Sequence, residues 1–160
     1  MLSFQDLYET YAKDIYRFAL WLSGDRFEAE DITSEVFIRA WARNQKIRTE
    51  TLKAYLLTIA RNVYFEKHRK GKRQVALVDV YQDSAPEPDQ VVESQMEISR
   101  VNEILKTLPE CDRLAFVLRV QHELPYAEIA RVLQLSISAA KVKVHRARKM
   151  ILALCVDKED

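Results

Sequence analysis

Apolar positions in the first seventy residues recur at helical spacing. Phe4, Leu7, Tyr8, Tyr11, Ile15, Phe18 and Leu22 step by three and four, which marks one face of a helix of about five turns. Gly24-Asp25 stops it. A second helix is predicted from about Phe27 to Arg43, with Ala29, Ile32, Val36, Phe37 and Ala40 inward. A third runs from Thr49 or Thr51, either of which suits an N-cap, to Lys70. Its apolar set is Leu52, Tyr55, Leu56, Ile59 and Val63.

From Gly71 to Pro88 the period fails. The stretch holds two prolines and several acids, and its one strand-like run, "VALVDVY", has no partner strand in a helical chain. Helical spacing returns with Val92, Met96, Val101, Ile104, Leu105 and Leu108. Pro109 and Pro125 each suit the start of a further helix. Ser136 is the expected N-cap of the last one, whose inner stripe reads Ile137, Ala140, Val144, Ala147, Ile151 and Leu154. The expected architecture is all-α: two small helical domains, residues 1–73 and 91–160, joined by a flexible acidic linker, 74–90.

Composition agrees with helices. Only 2 Gly and 4 Pro occur among 160 residues, too few for a chain of tight turns. No apolar run approaches the roughly 20 residues of a membrane helix, and the first residues lack the order of a signal peptide, so a cytoplasmic location is expected. Cys111 and Cys155 suggest reduced packing residues. His68, His122 and His145 have no metal-ligand spacing, and neither a metal nor any other cofactor is expected.

Charge changes the picture more. The formal net charge is only +1, yet residues 1–74 carry 14 Lys and Arg against 10 acids, 75–100 carry 1 against 6, and 101–160 carry 10 against 8. Leu135 to Met150 holds Lys141, Lys143, His145, Arg146, Arg148 and Lys149 with no acid. Like charges three and four apart repel on a helix by a few tenths of a kcal/mol each, a cost relieved when phosphates lie opposite. A short helix, a turn of three or four residues and this basic helix have helix-turn-helix spacing, with small Ala130 allowing close approach. A second basic segment, residues 61–73, has six Lys and Arg against Glu66, interleaved with Tyr64, Phe65 and His68. That pattern suits single-stranded DNA, where stacking and phosphate contacts cooperate.

These segments, in this order, resemble the extracytoplasmic-function (ECF) group of bacterial RNA polymerase sigma factors, the type with two domains. "AEDITSEVFIRAW" (29–41) is similar to the family's clamp-binding helix and "LKAYLLTIARNVYFEKHRK" (52–70) to its −10-reading, promoter-melting helix. "LPECDRLAFVLRVQHELPYAEIARVLQLSISAAKVKVHRARKMI" (108–151) is similar to its −35-reading domain. The resemblance implies a non-enzymatic factor whose partners are core RNA polymerase, through the β′ clamp coiled coil and the β flap, and promoter DNA. It also implies an anti-sigma factor, often membrane-anchored in this group, and no small-molecule substrate.

Residue by residue, the resemblance implies polymerase contacts at Asp31, Glu35, Phe37, Arg39 and Trp41, although periodicity also makes Phe37 core. It implies −10 contacts at Arg61, Asn62, Tyr64, Lys67, His68 and Arg69, and a flipped-base pocket in the loop 44–50. It implies −35 contacts at Ser136, Ser138, Ala139, Lys141, Val142, Lys143, His145, Arg146, Arg148 and Lys149. Of these, Lys141 and Arg146 are assigned to base or near-base contacts, Lys143, Arg148 and Lys149 to phosphates, and Val142 to a thymine methyl group. Asp79, Asp83, Glu87 and Asp89 would mimic phosphates in a basic channel or keep the linker off the DNA. Two positions depart from the family pattern: Gln134 replaces the usual turn glycine, and Ser138-Ala139 replaces Gly-Thr. The rival reading is a stand-alone helix-turn-helix regulator. It would need a sensor domain, and residues 1–74 show no strand–loop–Asp pattern.

Overall fold

The computed structural model describes residues 3–43, 52–68 and 93–157. Their regular structure is all helical, and the chain falls into two compact units, Met1–Pro86 and Glu87–Asp160. The linker 74–90, Arg69, the loop 44–50 and the capping candidates Thr49 and Thr51 lie outside the described residues.

The first unit packs α1 (Phe4–Ser23), α2 (Arg26–Ala42) and α3 (Leu52–His68) against one another. Ser3 caps α1 reciprocally. The Asp6 N–H donates to Ser3 Oγ at 3.1 Å, and the Ser3 N–H donates to Asp6 Oδ2 at 3.3 Å. Gly24 ends the helix in the left-handed region, φ +70°, with its N–H on the Leu20 carbonyl. Asp25 then caps α2 by accepting from the Phe27 N–H at 3.2 Å. The expected stop is therefore a stop and a restart within two residues.

Ile15, Phe18, Ile32, Val36, Phe37, Leu52, Leu56 and Leu57 fill the core of this unit. Thr33 is buried with them, and its hydroxyl donates to the Ala29 carbonyl of its own helix. In α3 the buried face differs from the expected one. Leu57 and Ala60 are inside, while Tyr55 and Ile59 are half-buried. α3 packs on both α1 and α2, so it is covered over a wider arc than one stripe.

The second unit consists of α4 (Glu93–Thr107), α5 (Glu110–Val120), α6 (Tyr126–Leu133) and α7 (Ile137–Asp157). Pro109 and Pro125 occupy the N-cap positions of α5 and α6. α7 packs on α4, α5 and α6 through Ala140, Val144, Ala147 and Ile151. Ile137 was expected in that stripe but is 48% exposed. It stands in the first turn at the edge of the stripe, and spacing alone does not reveal where the covering helices end.

α6 and α7 form the helix-turn-helix. Gln134 adopts φ +58°, ψ +50°, the left-handed conformation that a glycine takes without a Cβ penalty. Leu135 N–H closes the turn on the Ala130 carbonyl at 2.8 Å. Gln134 is held there at a cost of about 1 kcal/mol. Gln134→Gly is expected to raise the stability of this unit by about 0.5–1 kcal/mol, read as a higher denaturation midpoint. An unchanged or lower midpoint would show that the turn is unstrained.

Candidate polymerase and DNA interfaces

On α2 the core stripe leaves Asp31 exposed and Glu35 and Arg39 half-buried on other faces. The expected Glu35–Arg39 pair forms, with Nε donating to Glu35 Oε1 at 2.9 Å. Sequence spacing missed its third member. Arg39 also grips Glu66 of α3 with two donors, at 3.3 and 2.8 Å. The two carboxylates, Glu66 foremost, hold the Arg39 pKa above its already high ordinary value. The groups are more than a third exposed, so the network stabilises the unit by at most about 1 kcal/mol. Its structural effect is to join α2 to the only acid of the basic segment 61–73.

Phe37 requires a correction as a surface contact. It is 1% exposed and packs under Tyr8 with ring centroids 5.0 Å apart, so it has no face to offer a partner. Trp41, one turn on, is 39% exposed and meets Phe4 edge-on at 5.6 Å. With Phe4 and Tyr8, also part exposed, it forms an aromatic surface at the open end of α1 and α2.

At the end of α3, Arg61, Asn62, Tyr64 and His68 are half-buried and Lys67 is exposed. Arg61 donates to Asn62 Oδ1 at 3.2 Å and lies 4.8 Å above the Phe65 ring. Tyr64 meets Phe65 on one side and His68 on the other. His68 Nε2 is paired with Glu28 of α2. Tyr64 and Phe65 are both half-buried, in a row of rings with His68.

In the second unit Ser136 caps α7, accepting from the Ala139 N–H at 3.0 Å. The outward face of α7 carries Ser138, Val142, His145, Arg146 and Lys149, all exposed, with Lys141 and Arg148 at its edge. Val142, apolar among polar neighbours, is 51% exposed. Lys141 Nζ lies 5.8 Å from the Tyr126 ring centroid, and Arg119 covers the same ring at 4.5 Å.

Lys143 and Arg146 share a partner that the sequence reading missed. Asp112, in the first turn of α5, is 1% exposed. Its Oδ1 is 3.5 Å from Lys143 Nζ, and its Oδ2 is 3.7 Å from Arg146 Nη1. The only sequence signal was an acid among apolar positions in "LPECDRLAF". Among the described residues no cluster of His, Cys, Asp or Glu could hold a metal ion, and no helix is long and apolar enough to cross a membrane.

A helix-turn-helix with a basic, exposed second helix defines a DNA-binding protein of two helical units. Both halves match known sequence families: Sigma-70 region 2 over residues 7–74 and Sigma-70, region 4, over 98–151. The chain is 30% identical to the ECF RNA polymerase sigma factor SigM of Bacillus subtilis (strain 168), covering 96% of this chain and 95% of that protein. It is 31% identical to SigX of the same organism, covering 93% and 81%. The sigma factor RpoE, solved in complex with the anti-sigma factor NepR from Bartonella quintana, superposes with a TM-score of 0.79 at 25% identity, covering 95% of this chain and 96% of that one.

This protein belongs to the ECF sigma factors of the sigma-70 family. It binds RNA polymerase and directs promoter recognition and transcription initiation, in the cytoplasm where both reside, and it is not an enzyme. The rival reading as a stand-alone regulator fails on residues 7–74, which match a sigma region rather than a sensor.

Proposed function

We propose that each unit carries one half of promoter recognition. α2 docks on the β′ clamp coiled coil through Asp31, Glu35 and Trp41, with Arg39 holding Glu35 in place from within. The end of α3 takes the non-template −10 strand: Tyr64 and His68 offer ring faces, and Lys67 and Arg61 supply charge. α7 lies in the major groove of the −35 element, with Arg146 and Lys141 at base edges, Val142 at a thymine methyl group and Arg148 and Lys149 on phosphates. Ser136 acts through the helix start it caps, and Ala139 through the N–H that Ser136 holds.

The observation that carries this reading is the exposure of these α7 side chains on one face, opposite the buried Ala140, Val144, Ala147 and Ile151. The second unit would also rest on the β flap. An anti-sigma factor is the expected inhibitor, by likeness to RpoE in its complex with NepR. The acidity of residues 74–90 supports a tether that keeps itself off DNA.

Charge reversal tests the docking face. Asp31→Lys is expected to weaken association with core polymerase about tenfold while leaving the melting temperature unchanged, because Asp31 is exposed. Association at wild-type affinity would remove α2 from the docking surface.

A further inference from the structure

A carboxylate buried without a full set of donors is costly, and Asp112 is such a group. Its side chain is 2% exposed, and Oδ2 has no hydrogen-bond donor among the described residues. Its place in the first turn of α5 offsets part of that cost, because the positive end of the helix favours an anion there. The remaining compensation comes from α7, through Lys143 at 3.5 Å and Arg146 at 3.7 Å. The two cations differ in reach. The Lys143 side chain is 24% exposed, whereas that of Arg146 is 61% exposed. Lys143 is thus drawn back toward α5, while Arg146 is touched at one nitrogen and extends into solvent.

We propose that Asp112 is the positioning residue of the −35 reader: it fixes the Arg146 guanidinium at the groove-facing surface of α7 and withdraws Lys143 from it. This rests on the reading of α7 as the −35 helix. A guanidinium carries five N–H donors in a rigid fork. The ion pair at Nη1, 3.7 Å long and short of a hydrogen bond, leaves every donor free for a bidentate contact to guanine and favours the rotamers that would otherwise have to be selected on binding. Asp112 itself touches no DNA. It also places a negative charge behind two cations, which lowers their attraction to phosphates of any sequence. The predicted result is sharper discrimination at one base pair and weaker indiscriminate binding.

The experiment uses full-length protein assembled with core RNA polymerase. A preferred −35 sequence is first selected from promoter DNA randomised over that element. Binding is then measured to that promoter and to each of its single base-pair −35 variants. Arg146→Ala should lose discrimination at a particular base pair. Asp112→Asn, which keeps the shape, should lose about tenfold at the same pair and bind scrambled −35 DNA two- to fivefold more tightly. Asp112→Glu should restore part of the discrimination, and the Asp112→Asn, Arg146→Ala double variant should be no worse there than Arg146→Ala alone.

If Asp112→Asn weakens all sequences equally, or changes none, the positioning role is overturned. If Arg146→Ala leaves every position unchanged, the −35 assignment of Arg146 fails first. Should Asp112→Asn not fold, Lys143→Met carries the test by leaving Asp112 to Arg146 alone. Sharper discrimination at that pair supports the role, and discrimination unchanged or lost overturns it.

Discussion

Phe37→Ala is expected to cost the first unit about 3–5 kcal/mol, enough to unfold much of it. The ring is 1% exposed, lies against Tyr8 and sits among residues of a small three-helix core. Truncation leaves a cavity that three mutually braced helices cannot fully collapse to fill. Loss of polymerase binding would follow, but through unfolding. The control is Trp41→Ala, four residues on, where the side chain is part exposed. It should lower polymerase affinity while keeping most of the stability. Denaturant melts set beside a polymerase binding assay separate the two. A Phe37→Ala protein that melts like wild type yet fails to bind would restore Phe37 as a direct contact.

The second large effect falls on promoter choice. Joint replacement of Lys141 and Arg146 by alanine is expected to reduce −35-dependent run-off transcription about 100-fold, from two base-edge contacts of roughly 1–3 kcal/mol each. Association with core polymerase should be unchanged. Both side chains are exposed, the Lys141–Tyr126 contact is worth only about 0.5 kcal/mol at a surface site, and Lys143 stays beside Asp112 when Arg146 is removed, so the fold should survive. Run-off products from a randomised promoter pool report this directly. Starts at wild-type level with the wild-type −35 preference would move the reading surface away from these two residues.

Much of the fold was legible because each helix announces itself locally. α1 shows a three-and-four spacing and a Gly-Asp stop, and α6 and α7 show a Pro start, a short apolar face and a Ser cap. The helix-turn-helix followed from spacing, and Gln134 stood out as the departure at the usual turn glycine, but only the fold showed that it takes the left-handed conformation itself. Where helices are covered on more than one side, period alone was insufficient. It placed Ile59 in the core and left Leu57 out, and it extended the α7 stripe to Ile137.

The ion pairs divide in the same way. Glu35–Arg39 lies within one helix at four residues and could be read directly. Arg39–Glu66, His68–Glu28 and Asp112 with Lys143 and Arg146 join residues 27 to 40 positions apart. No periodicity reaches that far. The sequence by itself determined which stretches are helices, where charge accumulates and which family the pattern resembles, because propensity, capping and spacing act within a few residues. Tertiary structure alone decided whether Phe37 faces a partner or the core, and which basic side chains of α7 stand behind a buried acid, because both depend on which helix lies opposite.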